Sequence, residues 1–254
     1  TKKLVSQSQR SKDKSGNVEM GEFGNITIPF YSFGNITSLN LFGLDELILF
    51  SFYLKNRSKY KNVLDIGGNL GLHTILMSKL GWVVDVFEPD PIHIELLRSN
   101  VTLNNVEPNV TIHPYAVLDC STQLEFVRVL GNTTGSHLVG SKDSPYGDLE
   151  KFPVNTIDIR DIIKDKDFVK LDAEGAEAKI LSALDETILR NVDFMLEVSS
   201  LKNAQVIYDH ISKMDGINLF GQAFNWSIIT QVSEMPTSHR NGSLFISAKS
   251  KVPF

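Results

Sequence analysis

The stretch Asn62-Val-Leu-Asp-Ile-Gly-Gly-Asn-Leu-Gly71 decides the fold. An apolar run of strand length ends in two glycines, and a helical pattern, Leu70 to Leu80, begins at once and is stopped by Gly81. Glycines at such a junction let the backbone turn sharply from strand to helix. Working outward, the same alternation repeats. Trp82 to Phe87 reads as a second strand, and Ile92 to Leu103 as a helix with Pro91 suited to its first turn. Val110 to His113 is a third strand, Leu124 to Val129 an added one, and Gly131 to Phe152 a loop rich in Gly, Ser, Asn and Pro. Phe168 to Leu171 is a fourth core strand, followed by a helix over Ala176 to Leu184, a fifth strand over Phe194 to Val198 and a helix over Asn203 to Met214. Ile217 to Phe224 and Ser243 to Ala248 supply closing strands. Strand–helix alternation with short turns predicts an α/β, doubly wound, mostly parallel sheet of seven strands. Its central strands are nearly all apolar, as a sheet covered on both faces requires.

Upstream, residues 1 to about 20 are polar and without periodicity, and Gly24 to Gly34 alternates like a hairpin between glycines. Asp45 to Arg57 is helical, with acids in its first turn and cations in its last. The expected organisation is a tail and hairpin extension over 1–45 and one domain over 46–254.

Ligands of open parallel sheets bind beyond the carboxyl ends of the strands. The residues at those ends are Asp65 to Gly71, Glu88 to Asp90, Tyr115 to Val117, Asp172 to Glu177, and Glu197. A dinucleotide site calls for G-x-G-x-x-G, with amides facing a pyrophosphate. This loop lacks that spacing and places the Asp65 carboxylate where phosphate would be repelled. A ligand carrying a sulfonium and an ammonium group suits a carboxylate there. Glu88 ends the second strand, where an acid can accept both hydroxyls of a ribose.

Three runs, Asp65-Ile-Gly-Gly-Asn-Leu-Gly-Leu-His-Thr74, Phe87-Glu-Pro-Asp-Pro91 and Lys170-Leu-Asp-Ala-Glu-Gly-Ala-Glu177, resemble the FkbM family of S-adenosylmethionine-dependent methyltransferases. They correspond to that family's glycine loop, its acidic ribose motif and its K-[IL]-D-x-E-G-x-E signature, over roughly residues 60 to 200. Gly68 departs from the pattern, where Ala is usual, and is expected only to loosen the turn. The resemblance implies a Rossmann-like class I methyltransferase fold and, in relatives, transfer to a hydroxyl oxygen, often of a sugar or polyketide. Contacts to S-adenosylmethionine, or to its product S-adenosylhomocysteine, are expected from Asp65, Gly67, Asn69, Gly71, His73, Thr74, Glu88, Pro89, Asp90, Ala116 and Asp172.

Methyl transfer to oxygen needs alignment, exclusion of water and removal of the hydroxyl proton. The expected catalytic residues are Asp172, Glu174 and His137, the last in a polar loop suited to covering an acceptor. His73 is a further candidate base, although packing beside the glycine loop accounts for it better. Glu177 opens a helix, where an acid is favoured by the helix dipole alone. Asp172, Glu174 and Glu197 could hold a divalent cation, since hard cations take oxygen ligands, but a metal-free site is favoured. Nitrogen acceptors are associated with a [DN]-P-P-[YF] motif, and Lys170-Leu-Asp-Ala lacks it. The acceptor is therefore expected to be a small molecule or carbohydrate bearing a hydroxyl. An N-methyltransferase acting on a small amine and a silent S-adenosylmethionine-binding module are the rival readings.

The remaining features set bounds. A formal net charge of -5 argues against a broad nucleic-acid surface. The most apolar run, Leu47 to Leu54, is far short of the roughly 20 residues a spanning helix needs. The single cysteine, Cys120, allows no internal disulfide, fits a reducing cytoplasmic setting, and is expected to be a small buried hydrophobe. Asn-x-Ser/Thr sequons at Asn25, Asn35, Asn100, Asn109, Asn132, Asn225 and Asn241 point the other way, but some fall where helix or strand packing is expected.

Overall fold

The computed structural model describes residues 16–35, 37–142, 147–238 and 241–252. The tail over residues 1–15 lies outside them. The strands are β1 (Asn17–Glu19), β2 (Asn25–Thr27), β3 (Asn62–Ile66), β4 (Val83–Phe87), β5 (Val110–His113), β6 (Ala116–Leu118) and β7 (Gln123–Val129). They continue as β8 (His137–Leu138), β9 (Leu149–Asp158), β10 (Phe168–Leu171), β11 (Asp193–Leu196), β12 (Asn218–Gly221), β13 (Ser227–Ile228) and β14 (Leu244–Ser247). The helices are α1 (Leu44–Lys55), α2 (Leu72–Lys79), α3 (Pro91–Leu103), α4 (Ile159–Ile162), α5 (Glu177–Ser182), α6 (Glu186–Asn191) and α7 (Leu201–Ile211).

The main sheet runs β13-β12-β14-β11-β10-β3-β4-β5. It is eight-stranded and mixed, where seven mostly parallel strands were expected. Pairings from β11 through β5 are parallel. Those joining β11, β14, β12 and β13 are antiparallel. An apolar run betrays a strand but not its direction, and the eighth strand has only two residues.

Alternation along each core strand builds two apolar layers. Val63, Val84, Val86, Phe168, Met195 and Phe245 face one side, with Phe50, Phe52 and Tyr53 of α1 and Ile75 and Leu76 of α2. Leu64, Ile66, Val169, Leu171, Phe194 and Ile246 face the other, with Ile180, Leu181, Ala204 and Ile207 of α5 and α7. Period-two side chains and helices on both faces are what a doubly wound sheet demands.

Val18, Met20, Phe23, Ile26, Ile28 and Phe33 are buried in the first of these layers, so the described residues before 45 share the core of the main domain. The hairpin expected over Gly24 to Gly34 is shifted back: β1 pairs antiparallel with β2 across the turn Gly21–Phe23. Pro29 has no amide to donate to a ladder, which ends the strand before it.

A second sheet, β6-β9-β7-β8, packs beside the first. The loop expected over Gly131 to Phe152 is thus partly strand. Pro153 within β9 disguised a ten-residue strand, because proline argues against a strand with neighbours on both sides. Cys120, expected to be buried, is exposed. Asn100 is fully buried and donates from Nδ2 to the Leu70 carbonyl at 2.9 Å, so a glycan there is incompatible with the fold. Among the described residues no helix is long and apolar enough to cross a membrane.

Candidate active site

The register of the parallel strands brings the site together. Ile66 lies opposite Phe87 and Leu171, and Leu171 opposite Leu196. The next residues, Gly67, Glu88, Asp172 and Glu197, therefore stand side by side at the carboxyl edge. The chain leaves β3 towards β4 and β5 and returns on the other side at β10, so the crevice of this fold opens where Gly67 meets Asp172.

Close packing fixes the glycine loop. Gly67 has φ 79° and donates its amide to the Phe87 carbonyl at 2.9 Å, and a Cβ there would lie 1.9 Å from the Asp172 carbonyl oxygen. A Cβ on Gly68 would lie 2.2 Å from Cγ2 of Val86. Gly68 is thus needed to seat the loop on β4; it does not loosen the turn. Asn69 sits in the left-handed region at φ 50°, and its Oδ1 is a buried atom without a hydrogen-bond partner.

A cleft opens beyond this loop. Asn69, Glu88, Pro89, Ala116, Asp172 and Glu174 all border it. Phe87, Val117, Phe126 and Leu138 supply apolar wall. Both Glu88 oxygens hold backbone: Oε2 accepts from the Asn69 amide at 2.8 Å and Oε1 from the Asp90 amide at 2.9 Å. Burial pushes its carboxyl above the usual range, offset in part by His93 and by those amides.

Five sequence-predicted contacts lie elsewhere. Asp65 is fully buried beneath the loop, where Oδ2 accepts from the Thr74 hydroxyl at 2.5 Å and Oδ1 lies 3.7 Å from Nζ of Lys170. Asp65 and Thr74 therefore brace the loop from behind. Asp90 caps α3 at the Ile92 amide and takes both Nε and an Nη of Arg128, leaving its carboxylate engaged. Gly71, at φ 90°, backs onto Leu97; a Cβ would lie 2.4 Å from Cδ1. His73 is held between the Tyr53 hydroxyl and Glu46, each at 2.9 Å, on the side of the loop away from the apolar cleft. Of the candidate bases, His137 is buried on β8 with Nδ1 against the Gly135 carbonyl, and burial lowers its pKa. Its neighbours Ser136 and Leu138 face the cleft, so strand alternation turns His137 away. The segment around it does border the cleft; residues 143–146 lie outside the described ones.

A second, carboxylate-rich cleft of about 1080 Å³ adjoins the first and shares Asn69, Thr134, Asp172 and Glu174 with it. Glu46, Glu177 and Glu197 join them there. Lys170, next to this wall, lies 3.4 Å from Oδ2 of Asp172 and donates to the Gly67 carbonyl at 3.2 Å. Burial opposes its charge, but the carboxylates of Asp172, Asp65, Glu46 and Glu197 outweigh that and hold its pKa above the ordinary value. Glu174, at φ 47°, pairs with Lys142 at 2.5 Å, and burial, with the Asp172 charge, pushes its carboxyl up to about 7. Burial and then the charges of Asp172, Glu46 and Glu174 raise Glu197 well above the carboxylate range. Glu177 is a clamp: its oxygens accept from the amides of Ala173 and Gly175, from Ser199 and from Asn203. Among the described residues no three acids, histidines or cysteines stand in metal-ligating geometry.

Sequence reasoning passed over Lys170, His93 and Glu46. Lys170 had a signal, since a lysine inside an apolar strand must find carboxylates. His93, bonded to Thr133 at 3.1 Å on the cleft wall, had only its place in the first turn of α3.

Sheet order, glycine loop and edge carboxylates define the class of Rossmann-like methyltransferases. The Methyltransferase FkbM domain matches residues 65–226, and the chain belongs to that family. A comparison with curated proteins finds no match. Solved structures similar to it include the methyltransferase FkbM of Methylobacillus flagellatus KT, at 16% identity and TM-score 0.44, covering 74% of this chain. This chain spans 43% of that longer one. A precorrin-6y C5,15-methyltransferase of Geobacter metallireducens GS-15 has 16% identity and TM-score 0.45, with 79% and 86% of the two chains covered. An O-methyltransferase of Bacillus cereus, solved with S-adenosylhomocysteine, has 12% identity and TM-score 0.43, with 78% of each chain covered.

Proposed function

We propose that this chain transfers the methyl group of S-adenosylmethionine to a hydroxyl of a carbohydrate or small natural product. The observation that carries the reading is the junction of two clefts at Asp172 and Glu174. One is apolar, with Glu88 at its rim and the unpartnered Asn69 Oδ1 on its wall, and suits an adenosine. The other carries the carboxylates that a sulfonium and an ammonium call for. Bound there, S-adenosylmethionine supplies a methyl group on a cationic sulfur and is released as the thioether S-adenosylhomocysteine. The protein's part is to orient the acceptor and take its proton. Glu174, with a pKa near 7, is matched to that task at neutral pH, and Asp172 stands beside it. Lys170, 3.4 Å from Oδ2 of Asp172, can fix where that carboxylate points.

The test is transfer of a tritiated methyl group to a panel of sugars, nucleotide sugars, small alcohols and small amines, with calorimetry of S-adenosylmethionine alongside. Binding in the low micromolar range, about -8 kcal/mol, and label on an alcohol are expected. Label only on amines would overturn oxygen transfer. Binding with no transfer to any acceptor favours the silent module, and no binding removes the reading.

A further inference from the structure

A third cleft opens behind the wall that carries Glu174. It holds about 1570 Å³ of space and shares Lys142 and Ser199 with the carboxylate-rich cleft. The two are divided by Gly175, whose φ of 108° presses it so close to Ser141 that a Cβ would lie 2.4 Å from the Ser141 carbonyl. The signs of the two clefts are opposite. Among the described residues, five carboxylates line the one, whereas Lys142, Arg160, Lys179 and Lys202 face the other with one carboxylate, Asp119. This concentration of cations stands on a chain whose net charge is -5. Lys142 is paired with Glu174 and Arg160 with Asp158. Lys179 and Lys202 are exposed and carry no carboxylate partner among the described residues.

We infer that this groove binds the phosphoryl group of the acceptor, so that the substrate is a phosphorylated carbohydrate whose free hydroxyl reaches Asp172 and Glu174 next door. The inference rests on the methyltransferase reading of that neighbouring cleft. Two unpaired ammonium groups and a guanidinium supply the charge-assisted donors that phosphate oxygens take. The adjoining carboxylates repel the same group, so the pair of clefts sets the substrate in one direction: anion in the groove, neutral hydroxyl at the site of transfer. Lys142 stands at the boundary and can serve both. The transfer itself is unchanged: the donor's sulfur–methyl bond breaks, an oxygen–methyl bond forms, and the hydroxyl proton goes to a carboxylate of the site.

The experiment titrates the full chain with inorganic pyrophosphate by calorimetry, and with S-adenosylmethionine in a parallel run. The wild type is expected to bind pyrophosphate, and the double variant Lys179→Ala/Lys202→Ala to bind it about tenfold more weakly or worse. A control with the same charge change on exposed residues outside the groove, Lys164→Ala/Lys213→Ala, is expected to bind as the wild type does. No pyrophosphate binding, or equal weakening in both variants, overturns the groove. Methyl transfer to matched pairs of a sugar, its monophosphate and its nucleotide ester then separates the sources of the phosphoryl group. Preference for either phosphorylated form supports the inference; equal transfer to the free sugar overturns it. A chain that binds pyrophosphate in the groove but not S-adenosylmethionine fails the methyltransferase reading instead, so the two failures are told apart.

Discussion

Lys170→Met is the most demanding test of how the site is held. The ammonium is buried, 3.4 Å from Asp172 and 3.7 Å from Asp65, and it also donates to the Gly67 carbonyl at the start of the glycine loop. At an effective dielectric of about 20 each of these charge pairs is worth roughly 4–5 kcal/mol before desolvation is subtracted. The Asp172 pair is discounted further, because that side chain is 33% exposed. Asp65 has no such relief: it is fully buried, and without Lys170 its Oδ1 faces no cation. Removing one member of a buried pair costs about 3–5 kcal/mol, which for a chain of this size lowers Tm by roughly 6–20 °C. The sign with pH is fixed too. Lys170 has a folded pKa above its unfolded one, so its contribution is complete below the unfolded value and is lost only as pH rises through the folded one. The deficit of the variant is therefore full at pH 8. It shrinks towards pH 5, as Glu197, whose pKa is raised, takes up a proton beside the missing cation. Thermal unfolding of both proteins at pH 5 and pH 8 measures this. Equal stability at pH 8 would mean that burying the ammonium costs as much as the carboxylates return, and the bracing role given to Lys170 would be wrong.

Three further outcomes are expected. Glu88→Ala should weaken S-adenosylmethionine by about 1.5–3 kcal/mol and also lower Tm, because the Asn69 and Asp90 amides lose their acceptor; calorimetry with unchanged affinity would place the ribose elsewhere. Asp172→Asn should cut turnover on the order of 10²-fold; a near-normal rate with a verified acceptor would make that carboxylate structural. For Glu174, the rate should rise with pH through a midpoint near 7, and Glu174→Gln should abolish that limb. Its raised folded pKa also means that its contribution to stability is lost as pH rises through 7, so Glu174→Gln should unfold at higher temperature than the wild type at pH 8 but not at pH 5.

The core strands were legible because their ends are chemically abrupt. Asn62–Ile66, Val110–His113 and Phe168–Leu171 are read correctly to the residue, each being a short run closed by glycine, proline or a charge. β9 was not, since Pro153 breaks the expected pattern, and the antiparallel edge was not, since hydrophobicity carries no direction. The site was legible as a set of positions and illegible as a set of directions. His137 is in the right segment and on the wrong face, which depends on the register of a two-residue strand. Asp90 and Glu177 open helices, and an acid there looks the same in sequence whether it meets a ligand or its own backbone. Arg128, 38 residues away, decides the case of Asp90.

What sorts the acids is how many of their lone pairs the protein itself uses. Glu177 is met by five donor contacts and Asp90 by Arg128 and a helix amide, so neither has much left to offer a ligand. Glu88 spends one bond per oxygen and keeps room for more. Asp172 and Glu174 each have one lysine, at 3.4 Å and 2.5 Å, and Glu197 accepts no hydrogen bond from the described residues. Three carboxylates with unused oxygens on one cleft, two of them pushed to high pKa, leave the folded chain short of positive charge at that point. Burying like charges together is costly unless something cationic shares the site. In the function proposed above, the sulfonium and ammonium of one ligand would be that compensation, and would bring the transferable methyl group to the same carboxylates proposed to receive the acceptor's proton.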